Sequence, residues 1–232
     1  VRLNAGENFS YYKSFHSFTA HMEELSIKDK ILQGAEELFM RFGIRSVSMD
    51  DLARHLGMSK KTLYLHVPDK DELVLMVARS YMEKNRVLTE NIRKGAKNPI
   101  DELARISSCI RSAMDSLNPS LLFDLQKFHQ RAWNAWLEFK RGYLRDSIVR
   151  LLRQGMEQGY IREDIDPEVM ASMRIELVQL AFNSDLFSGN RYTLSELQEQ
   201  LYDHFVYGLV TEKGRKLYQK YKAQVNQSPT IL

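Results

Sequence analysis

One cysteine, five prolines and two tryptophans occur among the 232 residues, and each scarcity excludes something. With Cys109 alone, no intrachain disulfide can form and no cysteine-based metal site is expected, which points to a reducing, cytoplasmic compartment. Cys109 itself reads as a small core side chain. No apolar run approaches the roughly 18 residues that would span a membrane, so no membrane partner is expected. No period-2 run of β-branched residues marks a strand. Nor does a nucleophile–base pair, a glycine-rich phosphate loop or a histidine–carboxylate metal spacing stand out, so the reading contains no catalytic residue, no metal and no cofactor. His129 and His204 are isolated on helical patterns, and the acids of GYIREDID read as a loop followed by a cap.

What is present is ordinary in bulk: 44% apolar and 27% charged residues, in a chain long enough to bury a sizeable core in one or two domains. A net charge of +3 is too mild to identify a partner, so its location matters more than its sum. Residues 52–68 contain Arg54, Lys60 and Lys61 and no acid, whereas acids and bases alternate elsewhere. Residues 1–21 lack the apolar stretch of a signal peptide and differ from the better organised sequence that begins at Met22. They read as a leader of uncertain status, an addition or the result of a misplaced start, and carry none of the functional reading.

From Ser26 the pattern is helical nearly throughout. Ile27, Ile31, Ala35, Leu38 and Phe42 share one stripe, with Ser26 and Asp29 as a capping pair and Gly43 as the stop. A second short helix opens at Ser48 and ends at Gly57, and a third opens at Ser59 and ends at Val67-Pro68, since the residue before proline is pushed out of the α region. Asp69 caps a long helix that runs to about 92. GAKNP (95–99) is the first real break, after which helices are expected at about 99–117, 119–129, 131–158, 167–186 and 194–210, with a shorter one near 212–222. The fold class is all-α, with about nine to ten helices.

On the third helix Leu63 and Val67 face inward, Lys61, Thr62 and Leu65 face outward, and Lys60 and Tyr64 flank the buried side. Helix, short glycine turn, helix is the helix-turn-helix motif, whose second helix enters the DNA major groove. A lysine can donate to guanine, a threonine can bond several bases, and a leucine can meet a thymine methyl.

SMDDLARHLGMSKKTLYLHVPDKDEL resembles the DNA-binding signature of the tetracycline-repressor (TetR) family of bacterial transcriptional regulators. The matching features are Leu52-Ala53, Gly57, Ser59, Leu63-Tyr64, His66 and Lys70, and the likeness is strongest over residues 27–75. It implies that Lys60, Lys61, Thr62 and Leu65 read bases, while Ser48, Ser59, Tyr64, His66 and Lys70 meet the phosphate backbone. Three positions depart from the family's commonest pattern. Val67 replaces a frequent phenylalanine, Lys61 stands where a small residue is common, and Pro68 removes a backbone donor between clamp residues. GYIREDIDPE (159–168) and HFVYGLVTEKGRK (204–216) add weaker likenesses.

So small a reader makes few contacts alone and is expected to dimerise on paired half-sites. Met173, Leu177 and Leu180 on one helix and Leu201, Phe205 and Leu209 on another suit a dimer face, or pack only on their own subunit. The resemblance also implies a small-molecule pocket in the aromatic stretch between. Met114, Phe128, His129, Trp133, Trp136 and Phe139 are the candidate lining, with Gln126 or Asn134 as further polar contacts. The expected organisation is a leader (1–21), a helix-turn-helix domain (22–68), a connecting helix (69–92), an effector-binding and dimerisation domain (93–222) and a tail (223–232). The expected function is a homodimeric, sequence-specific transcriptional repressor that an unknown small-molecule effector releases from a palindromic double-stranded DNA operator. A DNA-binding protein without an effector and an all-α enzyme are the other readings, and an activator would use the same reader.

Overall fold

Short polar side chains begin the first four helices by accepting the N–H groups that a helix leaves unpaired. Ser26 accepts from Asp29 at the start of α1 (Ile27–Phe42), and Ser48 and Asp51 cap each other reciprocally at α2 (Met49–His55). Ser59 accepts from Thr62 at α3 (Lys60–His66), and Asp69 from Glu72 at α4 (Lys70–Gly95). The computed structural model describes residues 26–115, 117–182 and 192–227. The expected leader 1–21, the end of the expected helix 167–186 and the last residues of the expected tail lie outside the described residues.

Beyond α4 come α5 (Pro99–Asp115), α6 (Leu121–Phe128), α7 (Gln130–Phe139), α8 (Arg145–Glu157), α9 (Pro167–Leu180), α10 (Leu194–Leu209) and α11 (Glu212–Gln227). A π-helical turn at Lys140–Leu144 joins α7 to α8, so the described residues form ten helical rods in an all-α fold. The helix expected over 131–158 is one rod from Gln130 to Glu157 that carries the π turn within it, at Gly142, the residue of weakest helix preference in the segment. One expected bound needs correction. The helix expected to stop near 222 runs to Gln227, so the described part of the expected tail is helical.

Two cores hold these rods. The first collects Ile31, Phe39 and Leu52 from α1 and α2, Leu63 from α3, Leu73 and Val77 from α4, and continues without a break into Leu125 of α6 and Trp133 of α7. The second joins Ile100 and Leu103 of α5 to Leu152 of α8, Tyr202 and Phe205 of α10, and Tyr218 of α11. An antiparallel bridge, Ile161 to Val210, ties the loop after α8 to the end of α10, with Thr211 N–H donating to Tyr160 O at 2.9 Å.

Candidate nucleic-acid interface

The turn between α2 and α3 depends on Gly57, whose φ of 62° lies in the left-handed region that side chains resist. Met58 N–H closes the turn on Ala53 O at 3.0 Å, and Ser59 then starts α3. Leu63 and Val67 are fully buried, which fixes the rotation of α3. Lys60, Lys61, Tyr64, Leu65 and His66 are consequently exposed, Leu65 to 75%.

Several of these side chains already have partners. Lys60 Nζ lies 2.5 Å from Asp50, a neighbour on α2. Thr62 is half-buried, with its hydroxyl 2.8 Å from Ser59 Oγ inside the cap. The hydroxyl and the backbone N–H of Ser48 both donate to Asp51, at 2.5 and 3.0 Å, and these bonds hold the Asp51 carboxyl below the usual carboxylate range. Both donors of Ser48 are therefore occupied. Lys70, at the N-terminus of α4, is half-buried; burial pulls its ammonium below the usual lysine range, against the pull of Asp124 and Asp51.

Polar contacts anchor this head to the rest of the chain. Arg45 N–H donates to Asp124 at 3.1 Å, and Asn118 N–H to Met40 O at 2.8 Å. At the start of α4, Asp71 meets His129 Nδ1 at 3.0 Å, and Glu72 meets Arg131 at 2.8 Å. Between these anchors lies an apolar cavity of about 110 Å³. Its walls come from Met40 and Ile44 in the head, Val77 on α4, Met114 on α5, Trp136 on α7 and Val178 on α9.

Of the expected pocket residues, Met114 and Trp136 line this cavity and four do not. Phe128 is 45% exposed beneath the Arg45 guanidinium, and His129 is held by Asp71. Trp133 is buried in the first core, and Phe139 stacks between Trp136 and Tyr143. The reason is that α7 packs directly along α4, which fills the inward face of α7 except at Trp136. Gln126 and Asn134 are exposed. The walls at Met40 and Ile44 went unread because they lie some seventy or more residues before Met114 in the chain.

On the expected dimer face, Met173 is exposed and Leu177, Leu180 and Leu201 are half-buried. Phe205 and Leu209 are corrections: both are buried against α5 in their own subunit, which leaves no surface for a partner. The outward side of α10 is instead Gln200, His204, Tyr207 and Gly208. Among the described residues no group of three His, Cys, Asp or Glu could hold a metal, and no helix is long and apolar enough to cross a membrane.

Residues 31–77 match the family model described as bacterial regulatory proteins, tetR family. YezE of Bacillus subtilis, an uncharacterized HTH-type transcriptional regulator, is 35% identical over 158 residues, 61% of this chain and 76% of that one. The HTH-type transcriptional repressor KstR2 of Mycobacterium tuberculosis is 23% identical over 148 residues, 62% of this chain and 74% of that one. A transcriptional regulator from Saccharomonospora viridis, solved in complex with choline, superposes with a TM-score of 0.65 at 18% identity, covering 80% of this chain and 98% of that one.

Proposed function

Since the chain belongs to the TetR family of bacterial transcriptional regulators and so binds DNA through its helix-turn-helix, we propose that it is a homodimeric repressor that a small molecule releases from a palindromic operator. The observation that carries this reading is the orientation of α3. Leu63 and Val67 lock it from beneath, and Lys61 and Leu65 project from the free side. Lys61 then donates to a base edge and Leu65 packs on a thymine methyl, while Tyr64, His66 and Lys70 hold phosphates. Repression is supported by relatives such as KstR2.

Dimerisation is supported by α9. It buries Ala171 and Ile175 on one side and exposes Val169 and Met173 on the other, as suits a helix lying between two layers. Two heads related by a two-fold axis read two inverted half-sites, hence a palindrome. Release is supported by the cavity, whose walls include the head itself. A molecule that fits one head position better than another shifts the population, and DNA weakens its binding by the same factor.

Selection of binding sites from a random duplex library, at near-physiological salt, tests this reading. An enriched palindrome supports it, and recovery of unrelated sequences would falsify it. On the selected site, Lys61→Ala should lower affinity about tenfold and relax base preference, whereas Lys70→Ala should weaken all sequences alike and flatten the salt slope by about one. Asp50→Asn should act in the opposite direction. It frees Lys60 and removes an anion near the phosphates, so affinity should rise and the salt slope steepen by about one in a titration followed by fluorescence anisotropy.

A further inference from the structure

Arg174 on α9 is 4% exposed, and neither Nη1 nor Nη2 has a hydrogen-bond partner among the described residues. Its guanidinium lies over the Tyr202 ring of α10, 4.8 Å from the centroid. A ring face attracts a cation but leaves the N–H fork unfilled, and a buried charge without an anion is costly to keep. Gln198, one turn before Tyr202 and fully buried, gives Nε2 to Val178 O at 2.8 Å while its Oε1 stays unpaired. Val178 follows Arg174 by one turn on the same stripe of α9, and both Val178 and Phe182 line the apolar cavity. Across that cavity Trp136 has a buried indole N–H, also unpaired. The apolar cavity thus has Trp136 as a wall, and its wall at Val178 stands one helical turn from Arg174, whose two terminal nitrogens have no partner among the described residues.

We propose that the effector is a small organic carboxylate, with its apolar body in the cavity and its carboxylate on the guanidinium fork of Arg174. This rests on reading the cavity as the effector site. A planar carboxylate accepts two parallel bonds from a guanidinium, which matches the two orphaned nitrogens. Arg174 supplies one positive charge; a carboxylate balances it, whereas a phosphate dianion would leave negative charge buried. Size follows from volume. An apolar cavity of about 150 Å³ admits benzene, so about 110 Å³ suits a body of similar or slightly smaller bulk. A further methylene or two extends such a body past the wall at Val178 toward Arg174, one turn earlier on α9, a rise of roughly 5.4 Å along the helix axis.

The test uses the full chain, straight-chain carboxylates of about four to twelve carbons, 3-phenylpropanoate, and the matching primary amides. Binding is read by thermal shift and by tryptophan fluorescence, since Trp136 is a wall of the cavity. Some of the acids should stabilise the wild type and bind at least tenfold more tightly than their amides. Arg174→Met should fold, melt higher than wild type without ligand because an uncompensated charge is gone, and bind acid and amide alike. Arg174→Lys keeps the charge without the fork and should recover only part of the preference. Equal binding of acid and amide by the wild type, no binding by any acid, or a lower melting point for Arg174→Met overturns the proposal. Acids that bind but leave the operator complex intact would defeat the release mechanism and not this assignment. An uncharged molecule that releases operator equally well from wild type and Arg174→Met would defeat the assignment and not the mechanism.

Discussion

Shortening Leu63 to alanine is expected to cost about 3 kcal/mol of stability, lower the melting temperature by roughly 6 to 12 °C, and abolish specific DNA binding. Leu63 is fully buried and is the buried residue of α3, a helix of seven residues. Two turns of helix are not stable in water by themselves, so α3 exists because Leu63 and the adjoining Val67 dock it on α1 and α2. With the docking lost, the amides of α3 should exchange faster than those of α4, and hydrogen exchange read per residue would show it. Leu65→Ala, two positions along, is the informative contrast. Its side chain is 75% exposed, so melting should stay within about 0.5 kcal/mol of wild type while affinity for the selected site falls. Equal thermal losses from both changes would mean that α3 is rotated differently from the orientation described above.

Gly214→Ala should be as damaging by the opposite route. A Cβ there would sit 2.2 Å from Tyr160 O and 3.2 Å from Val210 Cβ. The first neighbour is backbone and already accepts a hydrogen bond from Thr211 N–H at 2.9 Å, so it cannot yield without breaking the bridge that joins the α8 loop to α10. Overpacking of this kind costs about 3 kcal/mol. Urea unfolding should show a lower midpoint at unchanged slope. Gly95→Ala provides the control, because nothing lies within 4 Å of the added carbon, and its midpoint should barely move.

The same bridge marks a limit of reading from sequence. GYIREDIDPE and HFVYGLVTEKGRK were legible as separate phrases, but not as the two sides of one contact, because about fifty residues separate Ile161 from Val210. Local grammar was far more legible. Ser26 with Asp29, Ser48, Ser59 and Asp69 announce helix starts by chemistry that acts over three residues, and each is a cap in the fold. The alternation of Leu63 and Leu65 likewise told the inner from the outer side of α3. Large aromatics were poor guides to the cavity, since Trp133 and Phe128 satisfy themselves equally well in a core and beneath an arginine. One signal was overlooked: Arg174 interrupts the apolar spacing of Ala171, Ile175 and Val178, at a position that the helical period assigns to the interior.

The uninterrupted packing of the head into Leu125, Ala132 and Trp133 bears on how such regulators diversify. A reader that ended in its own closed core could be exchanged between relatives like a cartridge. Here the seam falls through packed side chains, so a new head inherits its fit from residues some sixty positions downstream. On the function proposed above, operator choice and the shape of the effector-binding half are thereby bound into one heritable unit, and divergence in either has to be matched by repair in the other.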